Sequence, residues 1–324
     1  MKKPRQGLFS ITILILAVLL PLIVRQEYYQ HLMILVLMWV VIGSSWNLLA
    51  GFTGQVSFGH AAFFGIGAYT AGILNTKLGL SPWWGMAFGG GTAVILGILI
   101  GYLCFRLRGP YFALATLASG EILRLIANNW VDFTEGMVGI MIIQTFASKL
   151  PYYYIVLFIA AACFWIIKLV MNSKWGYYFV SIREDQDAAE SLGISTPFYK
   201  NISLMISSFF TGTVGAFYMN YMGFIDPSVV FSLHDVSIQA ILVGIIGGVA
   251  TLWGPAVGAL VMVGIQELFR TALFGLGPQW ISHGHALAFG ILVVLTILYL
   301  SNGLVGDWNK IKKIFLRKAA REAS

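Results

Sequence analysis

Apolar residues run through this chain in blocks of about membrane length, separated by short polar stretches. The blocks are Leu8–Val24, Tyr28–Leu49, Gly51–Leu74, Trp83–Phe105, Tyr111–Ala127, Tyr152–Met171, Ile202–Met222, Val236–Phe269 and His285–Leu300. About 20 apolar residues cross the hydrocarbon core as one helix, so the pattern predicts an all-α integral membrane protein. Two blocks depart from the simple form. Gly51–Leu74 is crowded with glycine and interrupted by Gln55, Ser57 and His60; it is expected to cross once. Val236–Phe269 is too long for one span and carries Gly247-Gly248 and Gly254-Pro255 in its middle. Glycine and proline there suit a broken helix, a pair of short or half helices entering and leaving on one side. The expected architecture is a polytopic bundle of about 8–10 transmembrane helices, a single transmembrane domain spanning residues 1–324. Asn128 to Leu150 reads as a mixed loop.

The longest polar interval is Asn172–Asn201, which packs Glu184, Asp185, Asp187 and Glu190 into seven residues. Ser181 and Glu184 have capping-box spacing, in which hydroxyl and carboxylate each satisfy a free backbone donor. Gly193 suits a left-handed C-cap, and Pro197 blocks continuation. Ile182, Ala189 and Leu192 fall on one side at helical spacing. These features predict a short helix from 181 to 193. It is either part of a solvated loop between spans or a handle by which another protein moves the membrane domain.

Composition supports the membrane reading: 58% of residues are hydrophobic and only 10% charged, against about 25% charged in a soluble domain. Charge supplies the orientation. Lys2, Lys3 and Arg5; Arg106 and Arg108; Lys168, Lys174, Arg183 and Lys200; and Lys310, Lys312, Lys313, Arg317, Lys318 and Arg321 form four basic clusters. The positive-inside rule assigns all four to the cytoplasm, with both termini and a basic tail at 307–324 on that side. The net charge of +7 is then a topological signal and no sign of nucleic-acid binding. Met-Lys-Lys-Pro-Arg before an apolar run resembles a signal peptide, but no small-residue cleavage site follows, so an uncleaved first span is expected. Cys104 and Cys163 lie inside apolar runs without metal or redox spacing.

No enzyme signature is present. The chain has no G-x-x-x-x-G-K-[ST] loop, so it cannot cradle ATP by itself. His283 and His285 lack a motif-spaced metal partner, and His31 and His234 sit near span ends. His60 is either a packing hydrogen-bond donor or part of a path. Glu121/Arg124 and Glu267/Arg270 are both E-x-x-R, so each pair can meet on one helix face. Ionised groups at membrane depth usually face a polar interior, and self-neutralising pairs fit helix packing near the outer interface equally well; a zwitterionic solute would use separated positive and negative partners and exposed half-helix ends. Gly51-x-x-Gly54-x-Val56 and Gly244-x-x-Gly247-x-Val249 echo each other, either through close helix packing or because both flank a translocation path. Gln55, Ser57, His60, Glu121, Gly247 and Gly248 are the candidate path residues.

Four stretches carry a family resemblance: G-F-T-G-Q-V-S-F-G-H-A-A-F-F-G-I-G-A-Y (51–69), R-L-R-G-P-Y-F-A-L-A-T-L-A-S-G-E-I-L-R (106–124), S-I-R-E-D-Q-D-A-A-E-S-L-G-I (181–194) and G-I-I-G-G-V-A-T-L-W-G-P-A-V-G-A (244–259). In this order they resemble the second permease subunit of bacterial branched-chain amino acid ABC importers, a family similar to the vitamin-B12-importer permeases. The resemblance covers about residues 35–306. It implies an inner-membrane permease that pairs with a sister permease, two ATPase subunits that use ATP and Mg, and a periplasmic binding protein, and that binds no cofactor itself. The implied solute is a branched-chain or other neutral amino acid, with urea or a short amide as the alternative. An ion-coupled secondary transporter is the rival from outside the family. The resemblance also implies that residues 172–201 form the ATPase-coupling loop, with Ser181, Arg183, Glu184, Asp187, Ala188, Ala189, Leu192 and Gly193 as coupling positions. On this basis Ala189→Arg is expected to uncouple ATP hydrolysis from uptake. In Asp132–Ile140, Glu135 and Met137 depart from the family's L-T-G-G-S-N-G-L-like outer loop.

Overall fold

The computed structural model describes residues 12, 15–107, 109–274, 290 and 303–306. Residues 15–23 are helical. Helix α1 (Glu27–Asn47) then runs without a break into a π-helical turn, Leu48–Phe52. Helix α2 is His60–Leu78, α3 is Pro82–Cys104 and α4 is Pro110–Asn129. Helix α5 (Lys149–Met171) is followed by two short helices, α6 (Lys174–Glu184) and α7 (Gln186–Ser191). Helix α8 (Thr196–Met222) precedes a broken pair, α9 (Gln239–Gly247) and α10 (Gly254–Phe274). Among the described residues, five helical stretches are long and apolar enough to cross a membrane: Glu27–Phe52, Pro82–Cys104, Lys149–Met171, Thr196–Met222 and Pro227–Gly247. The predicted spans at 28–49, 83–105, 152–171 and 202–222 correspond to four of these, and the one at 111–127 to helix α4, which is long enough but not among the five. Apart from residue 290, the span at 285–300 lies outside the described residues, as do the tail at 307–324, His283 and His285.

Glycine sets the centre of the bundle. A Cβ added at Gly67 would lie 2.0 Å from the Gly212 carbonyl oxygen, and one at Gly215 would lie 2.0 Å from that of Phe64. α2 and α8 thus touch backbone to backbone, as small residues allow in membranes. Gly89 brings α3 against the same place, 2.8 Å from the Gly67 carbonyl by the same measure. The opposite end of α8 is closed by a two-residue antiparallel ladder, β1 (Ile140–Met141) with β2 (Phe224–Ile225), in the register Ile140↔Ile225. The loop expected at 128–150 thus contains a strand as well as the helical turns Val131–Thr134 and Gly136–Val138.

The expected break at 248–253 is present, and α10 packs back against α9 so tightly that a Cβ on Gly247 would fall 1.8 Å from the Gly254 carbonyl oxygen. The far end of α10 returns to the start of α1, where the Tyr28 hydroxyl donates to Glu267. Two other expectations are corrected. Gly51–Leu74 is not one span: its first residues finish the π turn, residues 53–59 are non-helical, and α2 begins only at His60. The 181–193 helix is not one helix either. Ser173 caps α6 by accepting from the Trp175 amide, and Asp185, in extended conformation, caps α7 by accepting from the Ala188 amide. Ser181 lies inside α6 and its hydroxyl donates to the Tyr177 carbonyl, so the predicted Ser181–Glu184 capping box does not form.

Candidate functional site

Residues 174–200 gather at the basic end of the bundle, beside the ends of α1 and α3. Arg183 is the joint. Its Nη1 donates to the Gly51 carbonyl at 3.2 Å, its Nε donates to Glu184 at 3.1 Å, and its stem packs on Gly54. Gly54 has φ +74° and only 3.1 Å of room toward that stem, so a side chain there is opposed by conformation and by space. α7 is tied to the start of α8. Gln186 donates to Glu190 at 3.0 Å and accepts from Lys200 at 2.6 Å, while Thr196 also donates to Glu190. Lys200 is only 1% exposed and its ammonium lies 6.0 Å from the Phe105 ring centroid. A buried ammonium needs such partners, and here they lock the handle to α3 and α8.

The C-terminal end of α7 follows the sequence closely. The Gly193 amide bonds to the Glu190 carbonyl and the Ile194 amide to that of Ala189, with Gly193 at φ 83°. This is a Schellman closure that needs glycine at the left-handed position. Pro197 does not stop α7; it stands in the first turn of α8. Ile182 and Ala189 are buried, but Leu192 is 83% exposed, so the three do not form one buried side. Glu184, Asp187, Ala188, Leu192 and Gly193 make the displayed face. Ala189, 2% exposed, points into its own chain. An arginine there would disturb the fold rather than an outer contact, and Ala188 is the position on which a partner contact can be tested.

From Arg183 a line of bonds leads inward. Gly51 lies where an added Cβ would meet the Asn47 side chain and the Ala250 amide. Asn47 grips the tip of the broken pair: it accepts from the Ala250 amide at 2.8 Å and donates to the Thr251 carbonyl at 2.8 Å. Ala250 holds φ +60°, which is costly for a residue with a Cβ. The two echoing glycine segments therefore meet at Asn47. Gly247 and Gly248 belong to this joint.

Of the candidate path residues, Ser57 and His60 come together in a buried polar seam. His60 Nε2 lies 3.0 Å from Ser207 Oγ, the Ser237 hydroxyl accepts from the Ala61 amide, the Thr116 hydroxyl accepts from the Phe58 amide, and the Ser57 carbonyl accepts from Trp46 Nε1. These bonds join α1, α2, α4, α8 and the turn before α9. Gln55 sits beyond the seam at the basic end, with its side chain turned to the Thr53 carbonyl.

Glu121 lies elsewhere, on a face of α4 that no described residue covers. That face is a stripe of Tyr111, Leu114, Glu121, Ile122 and Leu125, all exposed. Glu121 is eleven residues into α4, about 16 Å along its axis, and pairs with Arg124, whose Nε donates at 2.9 Å. Among the described residues the pair joins no second helix, whereas Glu267, bonded to Tyr28, does join two helices. A charged residue at the centre of a membrane helix costs about 3 kcal/mol against lipid. The stripe therefore calls for protein or water, not hydrocarbon.

Sequence reading missed Asn47, Ser207, Thr116, Gln186 and Lys200. A lone amide in an apolar run marks Asn47; the serines and threonines of α4 and α8 carry no comparable signal.

Residues 28–300 match the family described as branched-chain amino acid transport system / permease component. The chain is 28% identical to the high-affinity branched-chain amino acid transport system permease protein LivM of Escherichia coli (strain K12), over 93% of this chain and 75% of that protein. It is 26% identical to the LivM protein of Salmonella typhimurium over the same shares. It is 23% identical to a probable branched-chain amino acid transport permease protein LivM of Methanocaldococcus jannaschii, over 84% of this chain and 93% of that protein. Among solved structures, PsaBC from Streptococcus pneumoniae in complex with Fab aligns over 84% of this chain and 91% of that chain, with 15% identity and a TM-score of 0.46.

Proposed function

The chain belongs to the branched-chain amino acid transport permease family, and from that premise we propose that it is one of two sister permeases in an ATP-driven importer of branched-chain or other neutral amino acids. It is a multi-pass membrane permease and not an enzyme; the ATP and Mg are handled by two partner ATPases, and a binding protein outside the cell delivers the solute. The basic end, with both termini, faces the cytoplasm across the inner membrane. The ATPases grasp the displayed face of residues 184–193. The sister permease and a water-filled path share the exposed stripe of α4, where Glu121 and Arg124 face the solute's charged groups.

The observation that carries this reading is the line of bonds from the handle to the broken helix pair. Arg183 holds Gly51, Asn47 follows one turn earlier on the same helix, and Asn47 holds Ala250 and Thr251. A pull on α7 therefore reaches a helix break through a few short hydrogen bonds. A break of this kind is where transporters shift between states. The test is uptake of labelled leucine into proteoliposomes holding the permease pair, with and without the ATPases. Uptake is expected only with ATPases and ATP. Uptake by the permeases alone would sink the reading in favour of a secondary transporter.

A further inference from the structure

A cavity of about 450 Å³ lies between α2 and α4. We infer that it seats an acyl chain of a membrane phospholipid. The volume is within the usual range for small-ligand sites, roughly 300–1,000 Å³. Its walls are Ile66, Tyr69 and Ile73 from α2, Leu123 and Ala127 from α4, and Phe231. Among the described residues no charged side chain lines it, so a zwitterionic amino acid would lose its hydration there without a partner. The threonines that reach it are already committed: Thr70 bonds to the Ile66 carbonyl and to Thr92, and Thr134 to the Ala127 and Trp130 carbonyls. The Tyr69 hydroxyl is the one buried polar atom of the wall without a partner among the described residues.

Position on α4 separates this cavity from the stripe that carries Glu121. Leu123 and Ala127 lie roughly opposite Leu125 and Glu121 at 100° per residue, so the cavity is behind the proposed path wall. Its rim is built for a bilayer surface. Trp130 and Phe133 are exposed there with ring centroids 4.9 Å apart, and tryptophan is a residue that sits at headgroup level. The Lys77 ammonium lies 5.1 Å from the Phe133 ring centroid and donates to the Asp132 carbonyl at 2.6 Å. An ammonium has three donors, and those left over suit a phosphate. An acyl chain in this place fills the gap behind a helix that buries only Phe112, Thr116, Gly120 and Ala127.

The test uses the purified permease in vesicles of phosphatidylethanolamine and phosphatidylglycerol that contain a phospholipid with a diazirine in its acyl chain. After irradiation, labelled peptides are mapped by mass spectrometry. Labelling of 66–74 and 123–134 is expected. Ala127→Trp and Leu123→Trp, two separate ways to fill the cavity, should each cut labelling of 66–74 several-fold. Labelling around Phe158 and Trp165, exposed on α5, should stay as it was and so report intact folding. Tyr69→Phe should leave cavity labelling unchanged. Absence of label at 66–74, or label that persists in both folded tryptophan variants, would overturn the assignment. So would label there from a diazirine analogue of leucine that free leucine competes away, which would make the cavity part of the solute path.

Discussion

Helices α8 and α4 are both of membrane length, yet they keep different company. α8 is buried along most of its surface: Ser203, Leu204, Phe210, Thr211, Val214, Phe217 and Met219 all lie out of reach of solvent, Phe209 stays partly exposed, and its glycines meet α2 and α3 backbone to backbone. α4 buries one narrow line of four residues and displays an apolar stripe with an ion pair at its middle. The described chain thus builds one helix as finished scaffold and leaves another with a face that no described element covers. A helix sheathed by its own chain can move only with the bundle. A helix held along one line can shift against it, and its bare face has to find a partner.

Single substitutions test this difference between α8 and α4. Gly67→Leu drives a side chain into the backbone of α8, 2.0 Å from the Gly212 carbonyl. It should cost more than the ~4–5 kcal/mol that marks exceptional mutations, and no monodisperse protein should be recovered after detergent extraction. Recovery of a protein with wild-type thermal stability would show that α8 is not the fixed core. Asn47→Ala leaves the Ala250 amide and Thr251 carbonyl without their partner, a loss of roughly 1–3 kcal/mol. The protein should still be extracted folded, and ATP-driven uptake should fall more steeply than its melting temperature. Equal falls in both would reduce Asn47 to a packing residue.

The handle gives a sharper pair. Ala188→Arg, on the displayed face, should change stability by no more than about 0.5 kcal/mol yet abolish uptake while the permease remains in the membrane. Ala189→Arg, one residue on and buried, should lower stability first. If Ala188→Arg transports normally, the displayed face is not a docking surface. The smallest effect belongs to α4. Gly120 has open space where a Cβ would go, so Gly120→Ala should stabilise by about 0.4–1 kcal/mol, read as a rise in melting temperature. A loss there would mean that α4 is packed as closely as α8.

These contrasts mark what the sequence could and could not disclose. Span positions were legible because lipid demands long apolar runs, and the break at 248–253 because Gly-Gly and Gly-Pro both oppose helix continuation. Gly193 was legible because a left-handed closure selects glycine. The break at 53–59 was not, since Thr53 and Phe58 find partners in Ser203 and Thr116, far away in the chain, and the Ser57 carbonyl turns back to the Trp46 indole. The division of the handle at Asp185 was hidden for a similar reason. Ser181 and Asp185 are both good N-caps by type, and the earlier start at Ser173 placed Ser181 inside a helix already under way. As for the candidate site, the handle and the hairpin glycines were readable as motifs. Asn47, which joins them, is a single amide whose partners lie more than 200 residues away.

The most direct test of α4 as a movable wall is thiol labelling at position 121. Cys104 and Cys163 are buried, so background reaction should be low. Glu121→Cys in the complete importer, reconstituted with its ATPases, should react with a membrane-impermeant maleimide at a rate that changes on adding ATP, whereas Leu204→Cys on α8 should stay unreactive throughout. No reaction at 121 in either condition, or equal reaction at 121 and 204, would contradict the account.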